Sequence, residues 1–438
     1  MQMIFLGMSD SQNKLQCILD IASHYGRMYQ ISYGSDKSKI VVYGSKSDQQ
    51  FYFDIKPWVM NDERVHVVHD NKHLGQTISN DLEFQKNVDK NISKSRKSLF
   101  SLLGPTLGQN CMINPTTKLH IFKTYVYPIL RSGLSTFPLR PNHMKSLEIF
   151  FNKTLKSTLK LSITAKTSAL LFLSGEIPIA AQLHLDIFSL FYNVWSNPQT
   201  KIFKVVKYLL ETSNDNSHTW CIHLRHLSRM YSMTDPLTLL YNKPPSKDKY
   251  KQYVKVLIVS YHEKEQRQKC VNSESMKYFN INLRGLGGYP HPAIQQIYTT
   301  NEVYNMRAHI KLLTGNYLTN AVRARQSGGS AICSICSKNQ PETYSHLITQ
   351  CESLSDPRER MLNKLFETCR NNGYSFVDKL KGHSESLTQF ILDPTSFNLS
   401  ERINFNDPKL PEIFSICRNL CSSLHSQRIR KIKEKINK

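Results

Sequence analysis

Acidic residues are the main deficit of this 438-residue sequence: 34 Asp and Glu stand against 57 Lys and Arg, which gives a formal net charge of +23. Long apolar runs are also missing. The most apolar stretch, Ala169–Trp195, is too interrupted for a membrane-spanning helix, since it contains Glu176, Pro178, His184 and Asp186. The first residues, Met1–Gly7, lack the basic segment of a signal peptide. We therefore expect no membrane partner.

Paired cysteine spacings of a disulfide framework are absent as well. The ten cysteines are mostly scattered, which favours an intracellular, reduced protein in the cytoplasm, the nucleus or both. The apolar content is ordinary and charged residues make up 21% of the chain, so the composition is not that of a disordered protein. The length allows two or three domains, each with its own core. The sequence leaves the oligomeric state open.

One cluster of soft ligands stands out against the scattered cysteines. Cys333, Cys336, His346 and Cys351 follow the pattern Cys-x2-Cys-x9-His-x4-Cys. Zn²⁺ prefers four nitrogen or sulfur ligands in a tetrahedron, and a closed set leaves no position open for catalysis. The alternative is four unrelated core residues, because free cysteines are often inert and buried. The two short spacings around a polar loop favour a structural zinc site.

The excess positive charge is concentrated in one part of the chain. From Lys90 to Lys166 the sequence has thirteen Lys and Arg, and Glu148 is the only acid. A solvated surface normally mixes both signs, so a stretch almost without acids favours contact with a phosphate backbone. Nucleic acid, RNA or DNA, is therefore the expected partner, bound largely through its backbone. A soluble charged face is the simpler alternative.

Two further basic clusters lie near the metal-ligand pattern and at the chain end. The first comprises Arg307, His309, Lys311, Arg323 and Arg325, and the second runs from Arg428 to Lys438. The second is interpreted as a nucleic-acid arm, a nuclear address or a helix end. Tyr304 and Tyr317 are candidates for base stacking, although either is at least as typical of a core. The expected nucleic-acid-binding residues are Lys90, Lys94, Lys97, Lys118, Lys123, Arg131, Arg323 and Arg325.

Local patterns predict an α+β fold that is mostly helical. Ser9 with Gln12 resembles a capping box, followed by a helix that ends near Gly26. Asn80 with Glu83, and Asn114 with Pro115, indicate two further helix starts. The strands expected from apolar patterning are Met28–Tyr33, Ile40–Tyr43, Gln50–Ile55, Val65–Val68 and Leu74–Ile78.

Five segments are expected on this basis. They are an αβ piece at 1–79, a basic helical domain at 80–212, a helical connector at 213–325, the metal-ligand loop at 326–360, and a helical C-terminal region with a basic tail at 361–438. Asp10 and Asp20 near the start, and acids after Cys351 such as Glu359, are interpreted as solvated helix charges.

Four motifs in order resemble the reverse transcriptases of non-LTR retrotransposons, over about Met3 to Cys351. The segment 34–40, Gly-Ser-Asp-Lys-Ser-Lys-Ile, is similar to the Asn-x-x-Lys-Ser/Thr-Lys segment after the palm helix, with Gly34 in place of Asn. His73, Leu74 and Gly75 resemble the primer-grip hairpin. The segment 118–133 is similar to the first thumb helix, and 311–315 with the Cys3His loop resembles the family's terminal zinc knuckle.

The resemblance implies a partial palm, a helical thumb and a zinc knuckle. It places Lys37 where the family has an accessory lysine that assists pyrophosphate departure. The family's paired catalytic aspartates lie just before the segment matched by Met3–Gly7, so the resemblance implies no catalytic residues in this chain. Mg²⁺ would act only if that upstream palm were supplied. RNA-directed DNA polymerase activity is therefore not expected of this chain alone.

Three interpretations remain open. The first is a fragment of a retrotransposon polymerase that retains nucleic-acid binding. The second is a host nucleic-acid-binding adaptor derived from such an element. The third is a non-functional relic, whose partial palm would expose unpaired strand edges. Whether Met1 is the true start is a further open question.

Overall fold

The computed structural model describes residues 6–31, 33, 38–107, 113–271, 276–281, 285–295, 297, 299–397 and 408–437. Its architecture is mostly helical with a few short strands, which confirms the α+β class. The chain divides into two compact units. Unit 1 comprises Met1–Asn91 with Leu139–His143, and unit 2 comprises Ile92–Pro138 with Met144–Lys438.

Unit 1 is built from two helices and six short strands. Helix α1 (Gln12–Met28) begins after Ser11, whose side chain accepts a hydrogen bond from the backbone N–H of Lys14. Helix α2 (Lys46–Ile55) begins after Ser45, which accepts from Asp48 in the same way. The strands are β1 (Lys39–Ile40), β2 (Val59–Met60), β3 (Glu63–Arg64), β4 (His66–Val67), β5 (Asp70–His73) and β6 (Gln76–Ser79).

These strands form three two-stranded pairs. β1 pairs with β4 in parallel, whereas β2–β3 and β5–β6 are antiparallel hairpins. The β5–β6 loop consists of Leu74 and Gly75, with φ of 47° and 83°. Two consecutive positive φ angles in a two-residue loop match the twist of hairpin strands. The unit's core contains Leu19, Ala22, Ile40, Trp58, Met60, Val65 and Val67.

Two of the expected strands are wrong. Gln50–Ile55 lies in α2, where the consecutive residues Tyr52 and Phe53 both pack against the unit 1 core, whereas consecutive residues of a strand point to opposite faces. Met28–Tyr33 fails because α1 continues to Met28 and Gln30 then takes a positive φ of 54°, which ends regular backbone. The other three expected strands are present as shorter or shifted elements.

Unit 2 contains most of the helices. The remaining helices along the chain are α3 (Gln85–Leu107), α4 (Pro115–Ile121), α5 (Tyr127–Arg131), α6 (Pro141–Thr158), α7 (Thr167–Ser174), α8 (Ile179–Trp195), α9 (Lys201–Thr212), α10 (Trp220–Met230), α11 (Pro236–Leu240), α12 (Lys247–Val271), α13 (Thr300–Leu313), α14 (Asn320–Ser327), α15 (Ser355–Asn371), α16 (Ser384–Leu392) and α17 (Leu410–Ile436). A π-helical turn, Phe122–Val126, joins α4 to α5.

The start of α4 confirms the expected cap. The Asn114 side chain accepts from the backbone N–H of Thr116, and Pro115 occupies the first turn, where its missing N–H needs no partner. The π turn directly precedes Pro128, which lacks the N–H that a regular helix would use at that position. The whole segment 115–131 is therefore helical in spite of its internal proline.

The core of unit 2 is formed by helices that are apolar on all sides or on one face. Every residue of α7 from Ser168 to Ser174 is buried, and α8 packs against α12. The long helix α17 packs against α13 and α15. No single helix among the described residues is both long and apolar enough to cross a membrane. The bent pair α7–α8 passes that test only when combined, by length and composition.

Candidate metal centre and basic surfaces

The structure brings the four expected metal ligands together. The ligand atoms of Cys333, Cys336, His346 and Cys351 all lie within 4.8 Å of one another, and this group can hold a metal ion. The bridge between Ile332 and Pro341 and a 2.8 Å hydrogen bond from the Cys333 N–H to the Gln340 carbonyl turn the loop back on itself.

The second pair of ligands is positioned by a π-helical turn, His346–Gln350. The backbone N–H of Cys351 donates to the His346 carbonyl at 2.8 Å, which fixes the separation of these two ligands. His346 and Cys351 are 1% and 0% exposed, and Cys333 is buried too. Only Cys336 is partly exposed. The cluster is therefore enclosed by its own loop.

The distances within the cluster fit a tetrahedral ion. Bonds of about 2.3 Å to sulfur and about 2.0 Å to nitrogen place two sulfurs about 3.8 Å apart, and a sulfur and a nitrogen about 3.5 Å apart. The Sγ atoms of Cys333 and Cys351 are 3.9 Å apart, and Cys336 Sγ lies 3.5 Å from His346 Nε2. Two of the ligand pairs therefore already have the separation that a tetrahedral ion requires.

The electrostatics of the cluster also favour a cation. A hydrogen bond from the Cys351 thiol lowers the pKa of Cys333 to about 3, against the effect of burial. The same interaction, together with burial, raises the pKa of Cys351. A metal ion at this position would compete with protons for both sulfurs, since cysteine binds metal as the thiolate.

Arg358 on α15 makes hydrogen bonds to the backbone next to the metal ligands. Its guanidinium donates to the Thr349 carbonyl at 3.1 Å and to the Cys351 carbonyl, and the residue is only 8% exposed. Burial lowers the pKa of Arg358. Three thiolates around a divalent ion carry a net negative charge, so a nearby buried cation is electrostatically matched to the loaded site.

A buried ion pair fastens the metal-ligand loop to α17. Arg428 Nε and Glu342 Oε1 are 2.6 Å apart, and the second guanidinium nitrogen lies 2.8 Å from Oε2. The side chains are 3% and 0% exposed. Glu342 Oε2 also accepts the backbone N–H of Asn320 at 2.6 Å, at the start of α14. The expectation that Arg428 belongs to a nucleic-acid arm is wrong, because its charge is satisfied inside the protein.

Burial overturns the surface roles that were expected of two other residues near this loop. Tyr317 is 4% exposed, with its hydroxyl 2.8 Å from His425 Nδ1, so its ring is a core ring and not a base-stacking surface. His309 is fully buried, where burial lowers its pKa to about 3, so it adds no charge to the basic cluster. Tyr304 is 46% exposed.

The expected nucleic-acid-binding residues differ in accessibility. Lys94 and Lys97 on α3 and Arg323 and Arg325 on α14 are exposed. Lys118 is corrected: it is 1% exposed, so it presents no charge to a phosphate backbone.

The other three expected cations make contacts within the protein. Lys90 donates to the Gly75 carbonyl of the β5–β6 loop. Lys123 lies 2.5 Å from the buried carboxylate of Glu176, and Arg131 pairs with Asp186 at 2.7 Å. The primary role of these three residues is therefore to stabilise the fold. Sequence position alone gives no sign of which lysines have such partners.

The residues expected to form the primer grip lie at a hairpin tip. His73 ends β5, and Leu74 and Gly75 form the two-residue loop, in which Leu74 is 76% exposed. Lys37 lies outside the described residues. Asp10 and Asp20 are exposed and bond to Lys14 and Gln16 on α1, as expected for helix charges.

Three comparisons with known proteins gave the same result. No protein-family model, no curated protein and no solved structure matches the chain. Functional inference therefore rests on the Cys3His cluster, on the exposed cations and on the sequence motifs.

Proposed function

We propose that this chain is a zinc-containing, nucleic-acid-binding segment of a non-LTR retrotransposon reverse transcriptase. The observation that carries the proposal is the Cys3His cluster, whose ligand atoms lie within 4.8 Å of one another in a segment preceded by exposed Arg323 and Arg325. The ordered motifs in the sequence, from the 34–40 segment to this loop, supply the connection to the family.

Zinc is the metal that suits these ligands. Three cysteine sulfurs and one imidazole are a soft, tetrahedral donor set, and the four protein ligands complete the coordination shell. A closed shell gives zinc a structural role, in which metal binding contributes directly to folding free energy. The purified chain should contain one zinc per molecule by elemental analysis. Cys351→Ser should lose most of it, and Cys17→Ser, at an exposed cysteine outside the cluster, should retain it.

The nucleic-acid contacts are assigned to exposed cations of unit 2. Lys94, Arg96 and Lys97 lie on the exposed side of α3, and Lys145 and Lys153 are exposed along α6. Within the described part of the chain, no acid lies within ion-pair distance of Lys94, Arg96 or Lys97. Their charge is therefore available to phosphates, and each contact would release condensed counterions.

The test is the salt dependence of binding to a single-stranded RNA. The double variant Lys94→Glu/Lys97→Glu should bind more weakly and should reduce the slope of log K against log salt by about 1.4, since each lost contact removes about 0.7. Lys364→Glu/Lys379→Glu is the matched control, because it changes the net charge equally at exposed lysines outside the 90–166 stretch. Equal effects of the two variants would show that binding depends only on the net charge of the protein.

The polymerase reaction is not assigned to this chain. Among the described residues, the Cys3His cluster is the only group of three or more His, Cys, Asp or Glu side chains that can hold a metal ion. Nucleotidyl transfer uses carboxylate-bound metal ions, so we expect no primer extension with Mg²⁺. Extension by the purified chain would contradict this assignment. A host adaptor derived from such an element would show the same binding, and expression apart from any element would favour it.

A further inference from the structure

A cavity of about 320 Å³ lies in unit 2, away from the metal centre. It is formed between α8, α12 and the segment 233–245 that precedes α12. Aromatic rings make up much of its wall: Phe188, Phe191 and Trp195 on α8, and Tyr250 and Tyr253 on α12. Sites for small ligands are mostly apolar and begin at about 300 Å³, so this cavity has room for one small ring system.

Hydrogen bonds hold part of the wall in place. Trp195 Nε1 donates to the Asn242 carbonyl at 2.8 Å, and the Tyr192 hydroxyl donates to the Pro245 carbonyl at 2.7 Å. Tyr192 also stacks on Tyr250 with ring centroids 5.1 Å apart. These contacts fix the segment 242–245 against α8. A preformed wall loses little conformational entropy when a ligand binds.

Access is provided by the side of the cavity nearest the start of α12. Tyr253 is 49% exposed, whereas Trp195 and Tyr250 are buried at 4% and 5%. One aromatic ring is therefore half open to solvent, and two form the floor. A planar group entering past Tyr253 would meet aromatic faces on its way in.

A positive charge lies at the edge of the cavity. Lys243 lines the cavity directly, and the stretch 243–255 contains five lysines and a single acid, Asp248. Lys243, Lys247, Lys249, Lys251 and Lys255 are all exposed. An apolar aromatic cavity with a cation at its edge is complementary to a ligand that joins a planar ring to a negative charge. A nucleotide within a single strand has this combination, with its base for the cavity and a phosphate for Lys243.

We propose that this cavity takes up one unstacked base of a single-stranded nucleic acid while Lys243 at its edge holds an adjacent phosphate. The inference rests on the proposed function and adds to it a second contact region, distinct from the exposed cations of α3. Base–aromatic stacking is tolerant of sequence, because every base has a π face. The site therefore anchors the strand without reading it.

Two features of the lining favour a base over other occupants. An acyl chain would be matched by a long aliphatic channel, whereas here the aliphatic side chains of the lining are Met233 and Leu239 beside five aromatic rings. A protein partner would need a larger, open surface, and a cavity of about 320 Å³ is too small for a peptide segment.

The experiment uses the full chain and an oligouridylate that carries one photoreactive iodouridine. Irradiation of the complex should cross-link the oligonucleotide to the peptide that contains Tyr253 or Trp195, as mapped by mass spectrometry. Tyr253→Ala should weaken binding by about tenfold, the loss of one stacked base, with the salt slope unchanged because no charge is altered. Thr234→Trp, at an exposed lining position, should fill the cavity and weaken binding similarly.

Tyr208→Ala is the matched control. Tyr208 lies on α9, is 62% exposed and does not line the cavity, so its removal should leave affinity unchanged. Circular dichroism of each variant verifies the fold.

The outcomes separate this inference from the proposed function. If the wild-type chain binds no oligonucleotide, the proposed function fails and the cavity inference fails with it. If the wild type binds but Tyr253→Ala and Thr234→Trp bind equally well, or cross-links map elsewhere, the cavity inference alone is overturned. Binding of phosphatidylglycerol vesicles that Thr234→Trp abolishes, with oligonucleotide binding intact, would also overturn it in favour of a lipid occupant.

Discussion

Replacement of Arg428 by Met tests how the metal-ligand loop is held in place. In the wild type, Arg428 makes hydrogen bonds of 2.6 and 2.8 Å to the two oxygens of Glu342, and its guanidinium lies 5.6 Å from the centre of the Tyr317 ring. Burial alone would lower the pKa of Arg428, but the bonds to Glu342 outweigh it and the pKa is raised. The pair is therefore ionised and well compensated.

The expected loss is large because the partner remains buried. Glu342 is fully buried, and within the described part of the chain Arg428→Met leaves its carboxylate with one hydrogen bond, the 2.6 Å bond from the Asn320 N–H. Removing one member of a buried ion pair costs about 3–5 kcal/mol, most of it the penalty for the orphaned charge. Replacing both members costs much less. We expect Arg428→Met/Glu342→Gln to recover more than half of the loss, since Gln still accepts from Asn320.

Urea denaturation at saturating zinc, followed by circular dichroism, measures these differences. Arg430→Met is the control, because Arg430 is 64% exposed and lies 3.5 Å from Glu434 in an exposed pair on the same helix. Such pairs contribute little, so its unfolding curve should match that of the wild type. A loss below about 1 kcal/mol for Arg428→Met, or a double variant less stable than the single one, would refute the reasoning.

Three further outcomes are expected. Chelation of zinc should lower the urea midpoint of the wild type and leave Cys351→Ser unaffected, because that variant has already lost the contribution of the metal to folding. Burial lowers the pKa of His184 from 6.5 to about 3. Between these two pH values the imidazole is therefore protonated in the unfolded chain and neutral in the folded chain. Stability should therefore fall between pH 6.5 and 4, with up to about 1.4 kcal/mol per pH unit from this residue. His184→Gln should flatten that dependence and the exposed His120→Gln should not, as urea titrations at several pH values would show. Gly175→Ala should destabilise the protein by more than about 1 kcal/mol in the same assay, since Gly175 has a φ of +69° and a Cβ there would lie 2.6 Å from the Gly288 carbonyl.

Features set by neighbouring residues were predictable from the sequence. The cap formed by Asn114 and Pro115 depends on two adjacent side chains, and the structure confirms it. The grouping of Cys333 with Cys351 depends on a loop of fewer than twenty residues, and the structure brings them together. In both cases the partners are too close along the chain for the rest of the fold to separate them.

Features set by distant partners were not predictable. The apolar pattern of Gln50–Ile55 fits a strand or a helix equally well, and the helix is decided by the Ser45 cap and by packing against the unit 1 core. That cap was itself a local signal, Ser-x-x-Asp over 45–48, which was missed. Lys118 shows the harder case, because nothing in its own segment indicates that it would be buried.

The difference between partners close in sequence and distant partners also matters for the role of the metal. Local spacing gathers the ligands, but Glu342 within the loop is bonded to Arg428 from 86 residues away, and Lys435 of the same helix donates to the Ser334 carbonyl. The loop is therefore fixed at two points to α17, which packs in turn on α13 and α15. Metal loss would therefore destabilise the packing of these helices as well as the loop itself. Consequently we expect zinc removal and Arg428→Met to be non-additive in stability, because both weaken the attachment of the loop to the helix.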